Sequence, residues 1–273
     1  MRLIPIPAFE DNYIWALADA QGHALLVDPG DAAPVFAAAA EQGLRPEAVL
    51  ITHHHHDHIG GLRDLLQRWP SLAIYAPEDE RIPLATERVG AAPQQRVALS
   101  WRDCRFDVLQ VPGHTRSHIA FVGHFDGAAS GPVPFEGAPL LFCGDTLFSL
   151  GCGRVSEGTH AQMLASLDRL AALPDATRVC CTHEYTLANG AFASVVDGDN
   201  PALSERIAQA RSLRASNHPT VPSTMAQERA TNPFLRCDSS AIRASVASHL
   251  GQPPADRVET YTALRRWKDT FRA

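Results

Sequence analysis

Basic charge is scarce in this 273-residue chain: 24 Lys and Arg stand against 30 Asp and Glu, the formal net charge is −6, and no run of cations longer than the Arg265–Arg266 pair occurs. A broad nucleic-acid footprint, which needs a clustered positive face, is not expected. Long hydrophobic runs are missing too; none approaches the roughly 20 apolar residues that a helix needs to cross a bilayer. The opening stretch MRLIPIPAFEDNYIW has one early Arg, two prolines among its apolar residues and two acids directly after. It lacks an unbroken signal-peptide core, so a cytoplasmic protein is expected. Cysteine is sparse, with six residues (Cys104, Cys143, Cys152, Cys180, Cys181, Cys237) and no CxxC spacing. That excludes zinc-ribbon and thioredoxin-type sites and leaves reduced thiols as the expectation. No GxSxG elbow occurs, which sets a Ser/His/Asp hydrolase aside. No heptad or long apolar stripe is present, so a monomer is expected.

What is present is an ordinary globular composition, 45% apolar and 20% charged, which rules out disorder and collagen-like repetition. Short β-like runs at 24–28, 48–51, 72–76, 106–111, 119–123, 139–143 and 178–181 alternate with helical stretches near 31–42, 61–69 and 160–173. Thr159 and Gln162, in capping-box spacing, announce the last of these helices. This alternation predicts an α/β layered domain. The stretch 127–139 reads as a surface loop. Beyond about residue 184 strand-like runs vanish, and helices are predicted near 203–215, 223–231, 239–250 and 255–271. Pro201, Pro219, Pro222, Pro233, Pro253 and Pro254 punctuate them, so a second, helical domain is expected.

Histidine is the anomaly, with five of thirteen lying between positions 53 and 58. THHHHDH, 52–58, directly follows the apolar run AVLI and precedes Gly60 and Gly61, a pair that permits a tight passage into a helix. In extended backbone residues two apart point the same way, so His53 and His55 can share one ion. Asp57 and His58 can turn to a second. Three further apolar runs end likewise: LQVPG leads to His114, LLFCG to Asp145 and RVCCT to His183. Ligand sites in α/β sheets favour strand carboxyl ends, so the seven donors His53, His55, Asp57, His58, His114, Asp145 and His183 can converge.

Seven donors exceed what one zinc site takes. Two divalent ions fit the count, with Asp145 bridging a His53/His55/His114 ion and an Asp57/His58/His183 ion some 3.5–4 Å apart and a water between them. Imidazole and carboxylate suit zinc, iron or manganese, with zinc the first expectation. A tag-like histidine run is the plain alternative, but a tag is not flanked by a buried strand and paired glycines. His114 or His183 alone would read as an ordinary hydrogen-bonded histidine. His54 and His56 are expected outside the coordination sphere, and Cys143 and Cys181 as small packing residues rather than soft ligands.

THHHHDH, PGHT at 112–115, CGDTLF at 143–148 and CTHEYT at 181–186 resemble the metallo-β-lactamase superfamily. GCGR at 151–154, HEYT at 183–186, NPFLR at 232–236 and LRRWKD at 264–269 narrow the resemblance to the glyoxalase II, or hydroxyacylglutathione hydrolase, family. The resemblance implies a four-layer αββα sandwich over 1–183 as catalytic domain and an all-helical glutathione-binding domain over 184–273. It implies that the seven donors hold two metals, and that Arg154, Tyr185, Arg265 and Lys268 meet the substrate. Ser156 departs from the pattern, standing where the family often carries a tyrosine, and loses that ring's reach. Arg265 and Lys268, three apart on a predicted helix, share a face that either meets glutathione carboxylates or simply faces water.

The activity so implied is hydrolysis of S-D-lactoylglutathione and related 2-hydroxyacylglutathiones to glutathione and the hydroxy acid, a step of methylglyoxal detoxification. The nucleophile would be a hydroxide bridging the two metals, with Asp57 and Asp145 as the catalytic carboxylates. Two other readings remain beside it: a persulfide dioxygenase or other hydrolase of the same fold, and a noncatalytic protein whose metals only brace the structure. The acidic balance leaves no nucleic-acid or membrane partner to be expected.

Overall fold

A computed structural model describes residues 1–90, 98–102, 104–125, 135 and 137–272, and the chain divides into two compact units. The first comprises Met1–Gln110 with Ser117–Gly144, the second Val111–Arg116 with Asp145–Ala273.

The first unit opens with a six-stranded sheet in the order β1 (Arg2–Ala8), β2 (Asn12–Ala18), β3 (His23–Val27), β4 (Arg45–Leu50), β5 (Ala73–Ala76) and β6 (Glu87–Arg88). Its first three strands are antiparallel; β3 to β6 run parallel, which requires crossover segments. Helices α1 (Ala32–Gln42), α2 (His56–Ile59) and α3 (Leu62–Arg68) lie in those crossovers. Ile4, Ile6, Ile14, Leu26, Val49 and Ile74 pack with Val35 and Ala38 of α1 and Leu62 and Leu65 of α3. Leu3, Trp15, Leu17, Leu25 and Leu50, opposite them by the strand period of two, are buried as well. A sheet covered on both faces is why β3 and β4 read as unbroken apolar runs.

The sequence reading missed β1 and β2. Pro5 and Pro7 argue against a strand, yet β1 ends the sheet order among the described residues, and an edge strand tolerates missing N–H donors. Gly60 and Gly61 do lead into α3, but for space: both have right-handed backbone, and a β-carbon on either would strike the backbone at Pro29–Asp31. Four strands of a second sheet complete the unit, β7 (Ala98–Trp101), β8 (Cys104–Gln110), β9 (Ile119–Phe125) and β10 (Leu140–Phe142), hydrogen-bonded in the order β10-β9-β8-β7. The predicted loop 127–139 falls largely outside the described residues. Phe135 within it is buried, its ring 5.3 Å from that of Phe125, so that position is not surface.

In the second unit β11 (Leu147–Phe148) and β12 (Gly151–Cys152) form a hairpin, and β13 (Arg178–Cys180) pairs with β14 (Ser223–Thr224). Its helices are α4 (His160–Ala171), α5 (Thr186–Val196), α6 (Pro201–Ala215), α7 (Met225–Thr231), α8 (Ser240–Leu250) and α9 (Arg257–Thr270). The capping box at Thr159 and Gln162 is formed, and Thr224 with Gln227 forms another. Helices were predicted at all these places except α5, whose sequence TLANGAFASVV hides it: Gly190 and the Val195–Val196 pair carry poor helix propensity. The short strand β14 also interrupts a region expected to be strand-free.

All six cysteines are buried and none is in a disulfide, with Cys143 and Cys181 wholly enclosed as packing residues. Among the described residues no helix is long and apolar enough to cross a membrane.

Candidate functional site

Each metal-type run sits where a strand has just ended. His53, His114, Asp145 and His183 lie three or four residues past the ends of β4, β8, β10 and β13.

In the first unit the donors rest on Asp28, the residue after β3, whose backbone has a φ of 51°, a region an Asp tolerates better than most side chains. Asp28 Oδ1 accepts the N–H of Thr52 at 2.8 Å and Oδ2 the Thr52 hydroxyl at 2.7 Å. Having given its proton to Asp28, that hydroxyl can only accept from His53 Nδ1, 3.1 Å away. The His53 proton therefore lies on Nδ1, and Nε2 presents a lone pair 3.1 Å from His55 Nδ1. Asp28 Oδ2 also lies 3.0 Å from His58 Nδ1, which turns His58 Nε2 toward Asp57 Oδ2 at 3.5 Å. Asn12 on β2 donates its amide to the same Asp57 oxygen at 3.2 Å. The His118 ring stacks on His53 at 4.6 Å, and Gly144, at a φ of 46°, leaves room that a β-carbon would take from the Thr52 hydroxyl. His54 lies 3.6 Å from Asp79 Oδ2, and His56 is exposed.

In the second unit Asp145 lies between two imidazoles, its Oδ2 3.5 Å from His114 Nε2 and its Oδ1 3.4 Å from His183 Nε2. His114 Nδ1 donates to the carbonyl of Arg154 at 2.9 Å, so here too Nε2 carries the lone pair. His183 stacks on Tyr185 at 4.7 Å with the planes 3° apart, and Phe148 meets both rings edge-on.

These contacts test whether cations fit. At His114–Asp145 an imidazole lone pair faces a carboxylate oxygen at 3.5 Å, acceptor against acceptor, and His58 Nε2 lies at the same distance from Asp57 Oδ2. That arrangement is repulsive by itself and becomes favourable when both atoms bind one cation, the other ring nitrogen being held by an oxygen, as metal-bound imidazoles are. Nitrogen and carboxylate donors without thiolate suit a divalent ion. Replacing Thr52 by Val keeps the shape and removes the hydroxyl that orients His53. Metal affinity, measured by chelator competition, is then expected to fall about 10- to 100-fold, the scale of losing such a support.

Beside Asp145 and His114 opens a cavity of about 490 Å³, also lined by Phe148, Cys152, Gly153, Arg154, Tyr185, Ala188, Asn189, Arg265 and Lys268. All four sequence-predicted substrate residues line it. Arg154 is an exposed arm with 78% of its side chain accessible. Arg265 on α9 is 4% exposed, so the reading in which this pair merely faces water fails for it. It donates to the Cys152 carbonyl at 2.7 Å, pairs with Asp269 at 3.0 Å and lies over the Phe234 ring. Lys268 is half-buried, donates to the Ala188 carbonyl at 3.3 Å, and has its pKa lowered by burial and then by Arg265 and Arg154. Ser156 is exposed, and its N–H donates to the His114 carbonyl at 3.3 Å.

Sequence reasoning missed Asp28, Thr52, Asn12 and His118 around the donors, and Phe148 and Asn189 in the cavity. Asp28 was within reach: it ends the run ALLVD just as Asp145 follows LLFCG. Asn12 and His118 act only through three-dimensional neighbours and leave no local signal.

Comparison with known proteins identifies the family. The Metallo-beta-lactamase superfamily profile matches residues 10–183, and the profile Hydroxyacylglutathione hydrolase C-terminus matches 184–271. The hydroxyacylglutathione hydrolase of Xanthomonas euvesicatoria pv. vesicatoria (strain 85-10) is 55% identical over 273 residues, 100% of both chains. That of Xylella fastidiosa (strain 9a5c) is 52% identical over 271 residues, 99% of this chain and 98% of its own. Among solved structures ETHE1 from Myxococcus xanthus superposes with a TM-score of 0.60 at 21% identity, over 97% of this chain and 98% of that one. The BLEG-1 B3 metallo-beta-lactamase gives 0.59 at 23% identity, over 86% and 98%. At such identities these two speak for the fold alone. The chain belongs to the hydroxyacylglutathione hydrolase family, with the α/β metallo-β-lactamase fold, a carboxy-terminal helical domain and His/Asp clusters suited to divalent metal.

Proposed function

We propose that this chain hydrolyses the thioester S-D-lactoylglutathione, and related 2-hydroxyacylglutathiones, to glutathione and D-lactate or the corresponding hydroxy acid. The observation that carries the reading is one cavity in which the donors His114 and Asp145 stand with Arg154, Arg265 and Lys268. Glutathione brings two carboxylates and a flexible peptide; cations set beside a hydrolytic centre answer that chemistry. In this reading residues 1–183 act as catalytic domain and 184–273 as glutathione-binding domain.

His53, His55 and His114 would hold one divalent ion and Asp57, His58 and His183 the other, with Asp145 shared; the all-nitrogen-and-oxygen set favours zinc, with iron or manganese as substitutes. Bound there, such ions bring the pKa of water down to about 7 and polarise a carbonyl. The protein's own groups do the rest. Asp57, held by Asn12 through Oδ2, keeps its carboxylate directed and orients the attacking water. Tyr185 and Phe148, packed on His183, exclude solvent from the reacting carbonyl. Lys268 and Arg154 meet the substrate carboxylates, while Arg265 steadies the Cys152–Arg154 backbone from beneath. The departing thiolate, with a thiol pKa near 8.5, needs no strong acid. Asp57 and Asp145 are thus the catalytic carboxylates.

The test is thiol release from S-D-lactoylglutathione by the purified chain, before and after chelation. Release that stops with chelation and returns with zinc supports the reading. Oxygen uptake with glutathione persulfide and no thioester cleavage would replace it with a dioxygenase, and full metal content without either reaction with a bracing role. A cytoplasmic monomer completes the proposal.

A further inference from the structure

One buried carboxylate takes no part in the steps above. Glu228 on α7 is 0% exposed, and acids are almost never enclosed so fully unless they are paired. Its Oε2 accepts the N–H of Leu150 at 2.9 Å and the amide of Asn232 at 3.1 Å. The Asn232 amide also reaches the carbonyls of Phe148 at 3.1 Å and Gly151 at 2.9 Å, and Asn189 on α5 donates to the carbonyl of Ser149 at 3.1 Å. From Phe148 to Gly151 the hairpin of β11 and β12 is thus gripped at three carbonyls and one N–H by side chains of later segments.

The grip has something to hold. Leu150 has a φ of 60°, a left-handed conformation at a turn position where Gly or Asn is preferred. Such backbone persists only when its surroundings over-determine it. Here the Leu150 side chain is packed with Ala193, Leu203 and Ile207, and its N–H is held by Glu228. Asp145 precedes the hairpin by two residues and Arg154 follows it by two; Phe148 and Cys152 within it line the cavity.

We propose that Glu228 is a positioning residue for the hydrolytic site, holding Leu150 left-handed so that the hairpin presents Asp145 and Arg154 in register. The inference rests on the site reading given above. Its experiment compares Glu228→Leu, which keeps bulk and loses the acceptor, with Glu228→Gln, whose amide oxygen can replace Oε2 while its NH2 takes the place of Oε1, which has no hydrogen-bond partner among the described residues. Zinc-loaded full chain is used at a temperature where circular dichroism shows each variant folded. For Glu228→Leu, kcat is expected to fall at least tenfold and the rate of zinc removal by a chelator to rise at least tenfold; Glu228→Gln should stay within threefold of the parent in both. A folded Glu228→Leu with kcat, KM and zinc-release rate within threefold overturns the proposal, as does a Gln variant as impaired as the Leu one. Should Glu228→Leu not fold, Asn232→Ser takes its place with the same thresholds. If the parent releases no thiol, the functional reading fails by itself, and the zinc-release comparison still decides the role of Glu228.

Discussion

Asp145→Ala is expected to lower thiol release by about a thousandfold, at the upper end of what losing a group that stabilises reaction-centre charge costs. The same substitution should strip the purified chain of most of its divalent metal, measured by elemental analysis. Each carboxylate oxygen faces an imidazole, one 3.5 Å from His114 Nε2 and the other 3.4 Å from His183 Nε2. In the Ala variant the two imidazoles keep their orientation, because His114 is held by the Arg154 carbonyl and His183 by the Tyr185 ring, but the negative charge between them is gone. Asp145→Asn separates charge from shape: its amide places N–H against one imidazole lone pair and satisfies it as a hydrogen bond, so metal is lost although nothing is truncated. Undiminished hydrolysis in the Ala variant would remove the shared-carboxylate assignment and leave two independent donor sets.

The candidate donors were legible because the rule that finds them is local. A buried strand must be apolar, so a His or Asp at its carboxyl end stands out against what precedes it, and that contrast marks His53, His114, Asp145 and His183 alike. The supports were not legible, because they follow from partners distant in sequence. Asn12 meets Asp57 across 45 residues, and nothing near it announces an amide directed at a carboxylate. The edge strand β1 was hidden by Pro5 and Pro7, whose missing N–H matters only if the strand lies inside a sheet. Arg265 and Lys268 were read as one helical face, and the structure divides them. Arg265 is enclosed and occupied by Cys152 and Asp269, whereas Lys268, on the same cavity, is only half-buried. Sequence spacing can put two cations on a face; it does not say which neighbours have already claimed one of them.

That division makes Lys268 the better test of substrate binding. Lys268→Met is expected to raise KM for S-D-lactoylglutathione about ten- to a hundredfold, the equivalent of roughly 1.5–3 kcal/mol for a hydrogen bond to a charged group, with kcat within about twofold. A contact made equally in ground and transition states should behave so. Burial, with Arg265 and Arg154 nearby, lowers the Lys268 pKa, while Asp269 opposes the shift. The sign of the pH effect follows: the substrate carboxylate binds the protonated amine, so binding is strongest below the folded-state pKa and weakens as pH rises through it, earlier than the usual 10.5 of a lysine. Parent KM should therefore climb on the alkaline side, and the Met variant should lack that limb. Stability should move the other way. A lysine whose pKa is lowered on folding is less favourable as a cation in the folded chain than in the unfolded one, a cost present at neutral pH and relieved as pH rises past the folded value. Met at this position escapes that cost and covers the rings of Phe192 and Phe271 that the Lys268 ammonium now approaches at 5.8 and 5.9 Å. A melting temperature no lower than the parent's, beside a raised KM and a flat alkaline limb, separates substrate recognition from folding; a fall in both melting temperature and kcat would make Lys268 a packing residue.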